Sequence, residues 1–294
     1  MKEQRFEILD TYQDFSDYWA DACSEPIDKQ VHLWQTLYMG KYPELLDKQV
    51  QCYKNENIDW RDMAGKVFPA LPVRLPIMQA ARNNILSSYP SICSRASEKL
   101  GFGFDIVGVV YVGIGCGAGW AATYGGQPAV LLGLENIAKE KWHTKARLQG
   151  LISHEIGHLV HMRWRDDWGE SFEEKVRDPL FLLYAEGFAQ RCEHLIIGKE
   201  NWHMGPNKEW LAWCAQKKGW LAAEFLNRLS RNESVNDFFG SWFNIRGKKQ
   251  TGYFLGHDFI TEIEKMYSLR EISLLRVEDM RKLALNYLDS TSTG

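Results

Sequence analysis

The chain has 294 residues, 45% of them hydrophobic, and 35 Lys+Arg against 38 Asp+Glu give a formal net charge of −3. That supplies a packed core and fits one large domain or two small ones. No long basic block supports nucleic-acid binding and no apolar run is long enough to span a bilayer. Met1-Lys2-Glu3-Gln4-Arg5-Phe6 lacks the apolar core of a signal peptide, so a cytoplasmic location is the default expectation.

In chain order, aromatics and leucines at helical spacing predict helices over residues 11 to 24 and 28 to 53, the second kinked or broken at Pro43. A third is predicted over residues 76 to 99, interrupted near Pro90. Residues 104 to 113, with Ile106, Val107, Val109 and Val110, predict a strand, and residues 128 to 134 a second. Between them lie Gly115, Gly117, Gly119, Gly125 and Gly126. No helix clearly follows this stretch and no Lys-Ser/Thr pair closes it, so it reads as a hairpin-like connection rather than a phosphate loop. Residues 142 to 164 and 179 to 197 predict two helices, joined by a charged, polar segment, Trp164 to Asp178, that reads as an inserted loop. Further helices are predicted from Asn207 to Leu229, from Gly252 to Met266 and from Val277 to Leu288.

The expected fold is α+β and predominantly helical, with a small β-sheet preceding the helix over residues 142 to 164. One domain is expected over residues 1–294: a helical part over 1–100, a core over 101–260 and a helical part over 261–294. The 12 tryptophans suit packing between helices. The six cysteines, Cys23, Cys52, Cys93, Cys116, Cys192 and Cys214, form no C-x-x-C pair and suit reduced thiols.

The most specific feature is His154-Glu155-Ile156-Gly157-His158, an H-E-x-x-H pattern. On a helix, histidines four residues apart project from one face and can share one ion. The glutamate lies beside that ion without ligating it, which suits it to take a proton from water. Catalytic zinc takes three protein ligands and keeps one position open. Glu186, in Leu183-Tyr184-Ala185-Glu186-Gly187-Phe188-Ala189-Gln190, is the candidate third ligand, because a carboxylate inside an apolar helix needs a compensating cation or hydrogen bonds. Glu193 and His194 lie about two turns further on as reserves, Glu193 on the face of Glu186.

This set resembles the gluzincin class of metallopeptidases. Glu186-Gly187-Phe188-Ala189 is similar to the segment carrying the third zinc ligand in M-one-type aminopeptidases, and Gly133-Leu134-Glu135-Asn136 to their exopeptidase motif. The chain also resembles a group of predicted zinc-dependent bacterial proteases with a similar E-G-x-A helix. The likeness covers about residues 107 to 260. It implies a zincin-like catalytic domain, a zinc ion, a peptide or protein substrate, and a Glu135 that binds the substrate's free amino group. It also implies a tyrosine donor downstream of the third ligand; Tyr253, in Thr251-Gly252-Tyr253-Phe254-Leu255-Gly256-His257-Asp258, is the first choice and His257 the runner-up.

Two features depart from that pattern: the His158-to-Glu186 gap is longer than usual, and Gln190 stands where many gluzincins place an aspartate that orients a zinc histidine. In the resulting expectation Glu155 takes the proton of the attacking water, whose acidity zinc raises, while Tyr253 stabilises the developing negative charge. Residues 128 to 134 are expected to form a sheet edge that receives an extended peptide, with Glu135 at its end. His161, three residues after His158, lies near the same face; it offers a histidine-only ligand set as an alternative, but a place behind the ligands or at the surface is the expectation, and His32, His143 and His203 are expected as ordinary packing or surface residues. The alternatives are a non-catalytic protein with a structural metal, its fourth ligand His161 or Glu193, and a regulatory module on a peptidase scaffold. Two imidazoles and a carboxylate suit zinc. Oligomeric state, and aminopeptidase against endopeptidase, stay open.

Overall fold

The computed structural model describes residues 4–204, 208–240 and 243–293. Residues 1–3 of the Met1-to-Phe6 stretch read above, and the expected helix start at Asn207, lie outside the described residues. The fold is α+β and mostly helical, with one four-stranded mixed sheet. The chain packs as two compact units, Met1–Glu155 and Ile156–Gly294.

The first unit runs β1 (Phe6–Asp10), α1 (Tyr12–Ala22), α2 (Ile27–Leu33), α3 (Pro43–Asn55), α4 (Trp60–Val67), α5 (Leu71–Leu100), β2 (Ile106–Tyr111), β3 (Gly119–Tyr124), β4 (Gln127–Gly133) and α6 (Leu134–Lys139). The sheet order is β1-β2-β4-β3. β1 and β4 flank β2 in parallel, and β3 pairs antiparallel with β4. The central strands are apolar because both of their faces are covered. Val109, Val110, Val130, Leu131 and Leu132 are fully buried. Gly108 lets the Tyr89 ring of α5 lie directly on β2; a Cβ there would stand 2.8 Å from the ring.

Two expectations about this sheet are corrected. Residues 128 to 134 are an interior strand, not the edge; the edge is β3, every residue of which is half-buried. The glycine-rich stretch is more than a turn, since it contains β3 itself and closes on β4 through Gly125 and Gly126. Both have positive φ, as a two-residue hairpin turn requires. Helix α5 is continuous through Pro76 and Pro90. Each proline removes one helical hydrogen bond, and burial of Met78, Ile85, Tyr89, Ile92 and Leu100 along the helix outweighs that loss. The break near Pro43 is present, with Pro43 opening α3.

Helix α7 (Lys145–Arg165) carries the chain from the first unit into the second. There follow α8 (Glu170–Val176), α9 (Pro179–Ile197), α10 (Lys208–Gln216), α11 (Lys218–Arg231), α12 (Asn236–Phe239), α13 (Thr251–Ile263), α14 (Leu269–Ser273) and α15 (Val277–Thr293). The segment expected as an inserted loop thus contains α8, and the single helix expected from Asn207 is two helices that part at Lys217. Asp178 caps α9 by accepting from the Leu180 and Phe181 amides, Pro179 takes the first helical position, and Gly198 ends the helix in the left-handed conformation. At the end of α7, Arg165 donates to the Ser273 and Leu275 carbonyls at 2.7 and 2.9 Å.

α9 and α13 meet backbone to backbone. A Cβ on Gly187 would fall 2.2 Å from the Gly256 carbonyl oxygen, and one on Gly256 would fall 2.5 Å from the Leu183 oxygen. Main chain cannot turn aside as a flexible side chain can. We expect Gly187→Ala to force the two helices apart and to destabilise the protein by about 3 kcal/mol, read as a lower midpoint in denaturant unfolding; an unchanged midpoint would contradict this contact.

Candidate functional site

His154, Glu155 and His158 stand on the unbroken helix α7, so the two imidazoles project one turn apart. His154 and Glu155 are buried. At Gly157 a Cβ would lie 2.8 Å from the Cys192 Cβ and 2.9 Å from the Ala189 Cα, so the missing side chain lets α7 rest on α9. That contact brings Glu186 of α9 to His158, with 3.4 Å between Oε2 and Nε2. Ligand atoms of His154, His158 and Glu186 all lie within 4.8 Å of one another.

The chemistry and spacing of this set are those of a group able to hold a metal ion. Bonds of 2.0–2.2 Å at tetrahedral angles put two ligand atoms about 3.4 Å apart. A charge-assisted hydrogen bond would be nearer 2.8 Å. The His158 and Glu186 side chains are 13% and 17% exposed, so this side of the set is partly open to solvent.

Glu155 is 7% exposed and packs against the start of the edge strand. A Cβ on Gly119 would stand 2.7 Å from its Oε1 and 2.9 Å from its Cγ. Only glycine lets main chain pass so near this carboxylate.

Glu135 is in the first turn of α6. Fully buried, it accepts from the Gly113 amide at 2.7 Å and the Gly115 amide at 3.1 Å. Burial raises its carboxyl above the ordinary carboxylate range, against the lowering effect of those amides. Its oxygens hold the connection between β2 and β3, and no face of the side chain is open to a substrate amine.

The sequence reading missed a network around Glu193. This fully buried carboxylate accepts from Asn201 Nδ2 at 2.6 Å and from the His203 amide at 2.8 Å, and pairs with His203 Nδ1 at 2.7 Å. Ligand atoms of His154, Glu193 and His203 also come within 4.8 Å of one another. The segment that follows its own helix thus engages the Glu193 carboxylate through three polar contacts. Gln190 does not orient a histidine: its Nε2 donates to the Asn201 carbonyl at 2.8 Å and its Oε1 has no partner. His203, expected as an ordinary residue, is thus part of the site's support. Tyr253 is half-buried and meets the His203 ring edge-on, with centroids 6.3 Å apart.

His161 is not at the surface. It is fully buried among Phe172, Phe181, Tyr184 and Phe188, and neither ring nitrogen has a partner. Burial lowers its pKa far below the usual value, and the charges of Arg165 and His158 add to this. His257 lies 4.3 Å, centroid to centroid, from His194, and both meet Trp202 edge-on. None of the protein-family models, curated proteins or solved structures compared with the chain matches it.

Burial, followed by the neighbouring His194 and Arg191, lowers the His257 pKa from 6.5 to about 3. A base with a depressed native pKa leaves the unfolded chain binding the extra proton between those values. Its contribution is therefore complete above pH 6.5 and is lost as pH falls towards 3. We expect unfolding free energy to drop by about 3–5 kcal/mol over that window from this group. In His257→Gln the drop should be shallower, as measured by denaturant titrations at stepped pH; parallel curves for both proteins would exclude it.

Proposed function

We propose that this chain is a zinc-dependent peptidase with a zincin-like arrangement, acting on peptide or protein substrates. The observation that carries this reading is the convergence of His154, His158 and Glu186 beside Glu155. His154, His158 and Glu186 would hold the ion. Bound there, zinc would lower the pKa of a water towards 7 and polarise the scissile carbonyl.

The chain's own residues do the rest. The Glu155 carboxylate takes the proton of the attacking water and returns it to the departing amine nitrogen. The free edge of β3 offers main-chain donors and acceptors to an extended peptide, and Gly119 brings that edge against Glu155. Glu193 holds His203, whose ring Tyr253 meets edge-on, and in this reading that pair donates to the developing oxyanion. The buried state of Glu135 favours an endopeptidase over an enzyme that reads a free amino terminus.

A second reading rests on the fully enclosed set His154, Glu193 and His203, in which a metal would be structural. Metal content and peptide cleavage, measured together, separate the two. Under our reading Glu155→Gln keeps its zinc and loses roughly 10²–10⁴ of its turnover, while His158→Ala and Glu186→Ala lose zinc and activity together. Zinc retained in both of the latter but lost in His203→Ala would move the ion to the enclosed set. Wild-type protein that holds zinc and cleaves neither unfolded casein nor a peptide library would sink the enzymatic reading.

A further inference from the structure

We propose that residues 243 to 249 of the second unit form a docking surface for an anionic lipid bilayer, where Arg246, Lys248 and Lys249 meet the charged head groups and Phe243 enters the interface. The proposal stands on that unit alone and does not depend on the peptidase reading.

The segment is a tight basic turn. Ile245 and Lys248 exchange both of their backbone hydrogen bonds, at 2.8 and 2.9 Å, and the two residues between them, Arg246 and Gly247, both have positive φ. A two-residue turn of this kind favours asparagine, aspartate or glycine. Gly247 meets that rule and Arg246, with φ 51°, breaks it. A residue kept in an unfavourable backbone conformation points to a use for its side chain. The Arg246 side chain lies on Trp220 of α11, its guanidinium carbon 4.0 Å from the ring centroid, so the cation is displayed from an aromatic platform. Other contacts pin the turn. Ile245 is buried, Asn244 Oδ1 accepts from the Gly247 amide at 2.9 Å, and Trp210 Nε1 donates to the Lys249 carbonyl at 2.9 Å.

The surface thus held in place is cationic and partly apolar. Arg246 and Lys249 are exposed and Lys248 is half-buried. Among the described residues none of the three enters an ion pair. From Phe238 to His257 the sequence has no Asp or Glu, and Asp237, just before that stretch, is already paired with Arg228. Beside these cations Phe243 is 48% exposed, its ring seated on Gly240, where a Cβ would come within 2.8 Å of it.

Cations joined to an exposed aromatic ring match the layered chemistry of an anionic bilayer, charged head groups above acyl chains. Single-stranded nucleic acid is the poorer fit, because successive bases need successive open rings and Arg246 already covers one face of Trp220. The chain as a whole carries a formal charge of −3. Charges more than about 10 Å away are screened at about 0.1 M salt, so the local cations govern the encounter. Each cation at such a surface raises affinity about fivefold, and burial of one phenylalanine raises it about tenfold.

The test is co-sedimentation of the full-length chain with vesicles of phosphatidylcholine alone or mixed with phosphatidylserine. At about 0.1 M salt the protein should pellet with the mixed vesicles and not with phosphatidylcholine, and it should be released at about 1 M salt. The triple variant Arg246→Gln, Lys248→Gln, Lys249→Gln should bind on the order of 100-fold more weakly, and Phe243→Ser about tenfold more weakly. Arg246→Asn guards against a loss that comes from misfolding. Asparagine suits the positive φ, so this variant should unfold at the same or a higher denaturant midpoint while vesicle affinity falls about fivefold. No pelleting with the mixed vesicles, equal pelleting with both kinds, or undiminished binding by the triple variant would overturn the proposal. So would displacement of the protein from vesicles by single-stranded oligothymidylate, which would transfer the surface to nucleic acid.

Discussion

Desolvation governs this structure more than any single contact. Polar and ionisable side chains sit inside helices and strands whose other faces are apolar, and a group removed from water is costly unless something in the protein takes water's place. The chain meets that demand in three ways. Glu193 receives three donors from the segment that follows its own helix. Glu135 receives backbone amides from two glycines. His161 receives nothing and stays neutral inside an aromatic box. His158 and Glu186 are the partly open members of the set, and they face each other at a separation suited to two ligands of one cation.

The parts of this arrangement legible in the sequence are those carried by local spacing. The H-E-x-x-H helix, the α9 helix with Glu186, and the helices before and after them announce themselves by periodicity, caps and the absence of helix breakers. Glu193 was visible as a carboxylate in an apolar helix, though not its role. His203 was invisible because it lies beyond Gly198 in irregular chain, where no repeat marks which side chains turn inward. The two missed strands fail for different reasons. β1 is five residues long, and its partner β2 is about a hundred residues away. β3 is made of glycine, alanine and a few aromatics, a composition that reads as turn until its pairing with β4 is seen. Mistaking β4 for the edge followed from missing β3.

Glu135, singled out in the sequence by a four-residue likeness, has a structural part in the first unit. Its side chain braces the backbone of residues 113 to 115, the same stretch that α3 grips through Gln49 and Tyr53. Its chemistry is spent on holding a loop in a conformation that needs a positive φ at Gly115.

The closeness of Gly187 and Gly256 has a mechanical corollary. Helices separated by interlocking side chains can slip by a fraction of a turn as rotamers rearrange. Two main chains in direct touch have no such lubricating layer, so α9 and α13 behave as one bar. Glu186 and Glu193 on one helix, and Tyr253 and His257 on the other, keep their mutual register through any breathing of the second unit. Any adaptation to an incoming molecule has to be made by side-chain rotation or by the connecting segments.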